Sequence, residues 1–443
     1  MTAGVFSKPW MVALVVIGIA VSSQSIFGGE LSRSYKRILV TEPSIDRARL
    51  RTTRQEIREE IVRSRLRPQL NALVSENLIQ ENSLNASESF QGSRFELSVS
   101  QAILNLETIA RLEREERLTD ASRSAFIAAK DEVALQLLQR FFQVQQATSR
   151  LISIESLVRT LELRREQAEA RAQAGQGSRL EIFQFDSRLA ERRANLATAK
   201  AELEVAKASL LELDPVFQLK DQVVEFSVDF EWPEIDSIED LVHRASVDNP
   251  RSTELQLLFN AEQLGLTAIE RRRFPVIQFG ASFGERDVNS DNSSATKTQT
   301  AVYGVSFTWP LYSGGRTSAE IDEQGAVLQS IRTDQASLKR RLAREISEAV
   351  SNYRSGQDRV NAQSAYLNAQ MVVERVLLAA YQQGAVSQAE YFDALDTLAS
   401  ARIARDSAIF STALSWLRLQ VISGAFVADN LDWIDGLLMN VPE

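Results

Sequence analysis

The sequence predicts an α+β protein built from two copies of one unit, each joining an amphipathic β-hairpin of the membrane-barrel type to very long coiled-coil helices. Three observations predict it. Landmarks in the two halves recur about 208 residues apart. Each half also contains a paired run of alternating apolar and polar residues, and a stretch of roughly seventy residues almost free of Gly and Pro.

The duplication rests on four landmarks. Pro43 matches Pro250 at an offset of 207, and Pro68, after Arg65-Leu66-Arg67, matches Pro275, after Arg272-Arg273-Phe274, at 207 again. Phe95 matches Tyr303 at 208, and Gly175 matches Gly384 at 209. Near-constant offsets over so long a stretch are hard to obtain by chance.

In the first half Leu70, Ala72, Val74 and Leu78 alternate with Gln69, Asn71, Ser75 and Asn77, and Phe95, Leu97 and Val99 alternate with Arg94, Glu96 and Ser98. In the second half Ile277, Phe279, Ala281 and Phe283 form one run. Ala301, Tyr303, Val305, Phe307, Trp309 and Leu311 form the other. Strands with one apolar and one polar face suit a membrane barrel, where every backbone polar group must find a partner inside hydrocarbon. Alternation alone favours a soluble sandwich. Tyr303, Trp309 and Tyr312 near the strand ends fit an interfacial aromatic girdle. Arg65, Arg67 and Arg271 to Arg273 precede the strands, placed for lipid headgroups or simply for solvent. The polar stretches Glu81 to Gly92 and Glu285 to Thr300 are expected to be exposed loops.

From Asn105 to Ala174 there is no Gly or Pro, and Phe126, Val133, Leu137, Val144, Leu151 and Val158 keep coiled-coil spacing. After a turn at Gly175 and Gly177, Ile182, Leu189, Leu196, Leu203 and Leu210 stand seven apart and must bury against neighbouring helices. Thr317 to Gln383, a turn at Gly384, and a return helix from about Ser387 to Leu419 repeat the plan. Each half is therefore a long helical hairpin with its β-hairpin at the opposite end. Four strands are too few to close a membrane barrel, so oligomerisation follows if they span one.

The composition narrows the chemistry. With no Cys and one His, His243, thiolate catalysis, Cys/His zinc sites, His-based triads and disulfides are excluded by inventory. No cofactor or metal is expected. A net charge of -9 argues against nucleic acid as a partner. Residues 1–25 read as a secretory signal peptide, with Lys8 before an apolar core from Met11 to Val21 and small residues at Ser22, Ser23 and Ser25. That core is shorter than the ~20 residues a spanning helix needs.

Several stretches resemble the TolC-like outer-membrane efflux and secretion channel family over nearly the whole mature chain. Leu241, Ala245, Asn249 and Pro250 resemble its Leu-x3-Ala-x3-Asn-Pro helix start. Arg273-Phe274-Pro275 entering a strand, and Phe307-Thr308-Trp309-Pro310-Leu311-Tyr312-Ser313-Gly314-Gly315 leaving one, resemble its strand borders. Tyr381-Gln382-Gln383-Gly384 followed by Glu390-Tyr391-Phe392-Asp393-Ala394 resembles its hairpin tip.

The resemblance implies a homotrimer whose strands form one twelve-stranded outer-membrane β-barrel, continued by a helical tunnel across the periplasm of a Gram-negative bacterium. It implies docking to a periplasmic adaptor protein and an inner-membrane transporter, ABC-type or proton-driven, in type I secretion or small-molecule efflux. The organisation is then a signal peptide (1–25), a first repeat (26–213, hairpin 67–104, tip 175–180), an equatorial linker (214–236), a second repeat (237–420, hairpin 275–312, tip 384–390) and an equatorial tail (421–443). A short strand is expected at Val224 to Phe230.

Carried over by resemblance, Glu390 and Asp393 match the acidic positions of the narrow periplasmic end. Three spacings put them on one helical face, where a trimer would gather six carboxylates that attract cations and repel anions. Spacing alone favours an ordinary exposed pair, and it is the resemblance that reverses this preference. Glu181 and Tyr381 match partners that hold the tip shut, and Gly175, Gly177 and Gly384 match the tip turns that meet the adaptor. Three positions depart from the family pattern. Val386 replaces a basic residue at the tip, Asn105-Leu106-Glu107 replaces a Ser-Gly-Gly, and Glu42 stands where the second copy has Asn249. Two other classes compete. A periplasmic adaptor normally has one helical hairpin rather than two in register, and a structural coiled coil would not conduct ions. An enzyme fits least, because no pocket-like setting is readable around Glu390 and Asp393.

Overall fold

The computed structural model describes residues 29–83, 86–218, 231–290 and 293–437. The signal segment and the strand expected at Val224 to Phe230 lie outside the described residues. The first copy runs α1 (Glu30–Thr41), α2 (Pro43–Ser64), β1 (Gln69–Ser83), β2 (Ala86–Leu104), α3 (Leu106–Gln173) and α4 (Arg179–Leu213). The second runs α5 (Ile238–Asp248), α6 (Pro250–Arg271), β3 (Val276–Ser290), β4 (Ser293–Thr308), α7 (Arg316–Gln382) and α8 (Gln388–Ser423), and α9 (Asp429–Leu437) follows. Equivalent elements have nearly equal length: 22 residues in both α2 and α6, 68 in α3 against 67 in α7. At 1.5 Å per residue each long helix reaches ~100 Å.

Local chemistry sets the helix boundaries. Pro43 and Pro250 occupy first-turn positions, where a missing N–H removes no helical bond. The Asn105 side chain accepts from Thr108 N at 3.0 Å and starts α3 directly from β2, without the glycines that precede α7. Gly424 ends α8 at φ 77°, and a Cβ there would lie 2.6 Å from the Asp248 carbonyl carbon. The turn between α8 and α9 is thus pressed onto the end of α5.

The four strands form one antiparallel sheet in chain order. Its register aligns Leu70, Val99, Ala281 and Tyr303 across all four strands, and Ala72, Leu97, Phe283 and Ala301 in the next row. Between those rows lie Asn71, Ser98 and Ser282, with Val302 the apolar exception. One face therefore carries an apolar band across all four strands, which gives way at Glu285 and Gln299 beyond Val74 and Phe95, and the other face is mostly polar. A single-residue slip of any strand would invert this. Leu70, Val74, Tyr303 and Phe307 are exposed on the single chain. β1 and β4 are both open edges.

Two expectations are corrected here. Glu81 to Gly92 and Glu285 to Thr300 are not loops: β1 pairs with β2 as far as Ser83 and Ala86, and β3 pairs with β4 as far as Ser290 and Ser293. Ladder bonds are made by the backbone, so polar side chains do not end them where neither face need be apolar. Tyr303 lies inside β4 rather than at its end, while Trp309 follows the strand and donates its indole N–H to Arg273 O at 3.0 Å.

Away from the sheet, the largest core gathers both ends of the chain. Leu31, Tyr35 and Ile38 of α1 and Leu431 and Ile434 of α9 pack with Leu137, Phe142, Leu210, Phe410 and Trp416 of the long helices. Trp232 of the linker stacks edge-on against Tyr353 and lies 6.5 Å from Trp433. Ser34 donates to Asp214 at 2.6 Å, and Arg37 pairs with the same carboxylate at 2.6 Å. A second core, with Leu161, Phe185, Leu189, Tyr381 and Tyr391, lies at the hairpin tips. Among the described residues no helix is long and apolar enough to cross a membrane.

Candidate functional site at the hairpin tips

The two tips are built alike. Each outgoing helix ends on a left-handed glycine, Gly175 at φ 75° and Gly384 at φ 72°. The next residue then bonds back across the last turn, Gln176 N to Arg171 O at 2.8 Å and Ala385 N to Ala380 O at 2.9 Å. Each return helix starts on a serine. Ser178 Oγ accepts from Leu180 N at 3.1 Å and Ser387 Oγ from Glu390 N at 3.2 Å. Between the glycine and the serine the tips differ at both turn positions, Gln176 against Ala385 and Gly177 against Val386. A Cβ on Gly177 would lie 2.9 Å from Ala172 N, whereas the second copy carries Val386 at the equivalent place, packed against the tip core.

The structure brings Glu181 and Tyr381 together. The Tyr381 hydroxyl donates to Glu181 Oε1, and the Arg171 guanidinium donates to the same oxygen at 2.6 Å and to the Tyr381 hydroxyl at 3.2 Å. Tyr381 is only 8% exposed, and its ring stacks on Tyr391 with centroids 5.3 Å apart and planes 5° apart. Burial, reinforced by the Glu181 carboxylate, pushes the Tyr381 phenol up to about 12, so it remains a donor across the physiological range. Gln388 Nε2 donates to Glu181 O at 3.3 Å, which also ties the two return helices together.

Arg171 was not legible from sequence. Its only sequence signal is its place in the last turn of α3, where a cation is favourable in any helix. Its partners lie ten and 210 residues away and are brought near only by folding. Arg164, two turns earlier, lies 6.0 Å from the Tyr391 ring, so α3 presents two guanidinium groups to the stacked tyrosines.

Glu390 and Asp393 lie one turn apart on the exposed side of α8, opposite buried Tyr391, Phe392, Ala394 and Leu395. They are differently engaged. Glu390 Oε2 accepts from Ser387 N at 2.9 Å and completes a reciprocal cap with the serine. Asp393, 79% exposed, has Arg188 Nη2 of α4 at 3.8 Å. Arg188 also donates to Glu191 at 3.0 Å, and that bond holds the Glu191 carboxyl below its ordinary range. Arg192 takes Asp396 at 2.6 Å. Among the described residues no group of three or more His, Asp or Glu side chains is placed to hold a metal ion.

Residues 243–425 match the outer membrane efflux protein family. The outer membrane efflux protein BepC of Brucella suis is 25% identical over 268 residues, which is 60% of this chain. The match spans 57% of that relative's own length. The outer membrane channel CmeC of Campylobacter jejuni superimposes with a TM-score of 0.76 at 14% identity, covering 100% of this chain and 98% of that one. The outer membrane channel MtrE of Neisseria gonorrhoeae, solved in its open state, superimposes at 0.74 and 19% identity, covering 90% and 89% of the two chains.

Proposed function

We propose that this chain, whose residues 243–425 match the outer membrane efflux protein family, is the passive exit duct of a three-part export system. It lies in the outer membrane of a Gram-negative bacterium and extends into the periplasm. It carries out no chemistry, and energy comes from an inner-membrane transporter reached through a periplasmic adaptor.

The observation that carries this reading is the sheet. Its apolar rows run unbroken across four strands, yet both edge strands are open, so one chain can neither bury that face nor close its ladder. Three copies joined edge to edge would give a closed barrel of twelve strands with its apolar face outward. The helical hairpins lead away from one end of the sheet, as a duct below a barrel requires. Of the two cargo classes, small molecules are favoured over secreted proteins, because the Brucella relative is by name an efflux protein.

Within the duct, Glu390 and Asp393 form the acidic lining of the narrow periplasmic end. Glu181 and Tyr381 latch the tips shut, and the turns at Gly175, Gly177 and Gly384 meet the adaptor. Purified protein in a planar bilayer should pass ions in discrete single-channel steps. A detergent-solubilised protein that inserts without conducting would favour a structural coiled coil instead.

A further inference from the structure

Arg188 belongs to the first repeat, yet its guanidinium faces acids of the second. It lies 3.8 Å from Asp393 and 3.4 Å from Asp396, and it rests 5.7 Å above the Phe392 ring. Asp396 is more tightly held by Arg192 at 2.6 Å. Among the described residues Asp393, 79% exposed, has no second cation within salt-bridge distance, so Arg188 is its nearest countercharge. Glu390, by contrast, points its carboxylate back onto its own helix cap.

We propose that Arg188 is a selectivity determinant of the narrow end: a cation fixed by the first repeat beside Asp393 of the second, which lowers the negative potential that permeating ions meet. This rests on the reading of Glu390 and Asp393 as the acidic lining. A charge at 3.8 Å lies well inside the ~8 Å screening length of physiological salt, so it acts on Asp393 with little attenuation by mobile ions. The guanidinium is shared with Glu191 at 3.0 Å and Asp396 at 3.4 Å, so it offsets part of the negative charge at Asp393 rather than all of it. Such an exposed pair adds little to folding stability. Its effect is on the potential in the passage, where charged rings decide which ions enter. The Phe392 ring, 5.7 Å from the guanidinium, and the hydrogen bond to Glu191 at 3.0 Å hold Arg188 in place.

The test is the reversal potential of single channels in a planar bilayer under a potassium chloride gradient. Arg188→Gln should raise the potassium-to-chloride permeability ratio several-fold over the unaltered protein. Arg188→Met, which keeps an apolar stem over Phe392, should do the same and separates charge from packing. Arg188→Lys should stay close to the unaltered value. If Glu390→Gln with Asp393→Asn shifts the reversal potential but neither neutral Arg188 variant does, the role of Arg188 is overturned and the acidic lining stands. If no variant shifts it, the acidic lining is wrong and the inference falls with it.

Discussion

Glu181 and Glu390 occupy the same position in the two copies, the third residue of each return helix after a capping serine, and their carboxylates face different partners. Glu390 bonds back to the Ser387 backbone N–H at 2.9 Å, while Glu181 takes the hydroxyl of Tyr381 and the guanidinium of Arg171. Duplication supplied one motif, and divergence of its surroundings gave it two uses. Where the first copy has Arg171 and Ala172, the second has Ala380 and Tyr381, so the clamp draws Arg171 and Glu181 from the first copy and Tyr381 from the second.

That arrangement predicts a shared phenotype. Glu181→Gln, Tyr381→Phe and Arg171→Gln should each raise mean single-channel conductance, and pairs of these changes should be less than additive, because all three remove parts of one hydrogen-bonded unit. Conductance unchanged in Glu181→Ala and Tyr381→Phe would dismiss the latch.

The reciprocal cap at Ser387 separates charge from structure at Glu390. Glutamine can still accept from the Ser387 N–H, so Glu390→Gln should leave thermal stability of the tip nearly unchanged. Ser387→Ala should cost roughly 1 kcal/mol locally. Hydrogen exchange of the first turn of α8 measures both.

Two glycines inside α7 should respond in opposite directions to alanine. Nothing lies within 4 Å of a Cβ on Gly325, so Gly325→Ala should stabilise by up to about 1 kcal/mol through helix propensity. A Cβ on Gly356 would press into Thr412 Oγ1, which is fully buried and donates to Ala408 O at 2.7 Å. Gly356→Ala should therefore loosen the α7–α8 contact and lower the melting temperature.

Asp435 makes the docking of α9 onto α1 depend on pH. Its carboxylate, 3% exposed, accepts from Leu31 N at 3.2 Å and Ser32 N at 3.3 Å, and burial outweighs those bonds to push its pKa from 3.8 up to about 7. A pKa raised by folding means the folded state binds the proton more tightly, so this contribution is complete below 3.8 and lost as pH rises toward about 7. Hydrogen-exchange protection at α1, taken relative to the base-catalysed rate of a free amide at the same pH, should be greater at pH 5 than at pH 8, and Asp435→Asn should flatten the difference. An unchanged slope in the variant would place the titrating group elsewhere.

Much of this was readable in the sequence because it is periodic. The offsets from Pro43 to Pro250 and from Gly175 to Gly384, the alternation at Leu70 and Tyr303, and the heptads through Leu189 and Leu203 are one-dimensional signals of helix, strand and turn. The strand ends were misread because Asn, Ser and Asp suggest loop, although the backbone ladder continues through them. At the tip, neither Arg171 nor Arg188 could be found by spacing. Each is one of many helical arginines, and only the packing of one copy against the other singles it out.

The duct exists only if several chains close one barrel. Native mass spectrometry of the protein purified in detergent tests this most directly: the duct requires a particle of three chains, and a single chain soluble without detergent would contradict it.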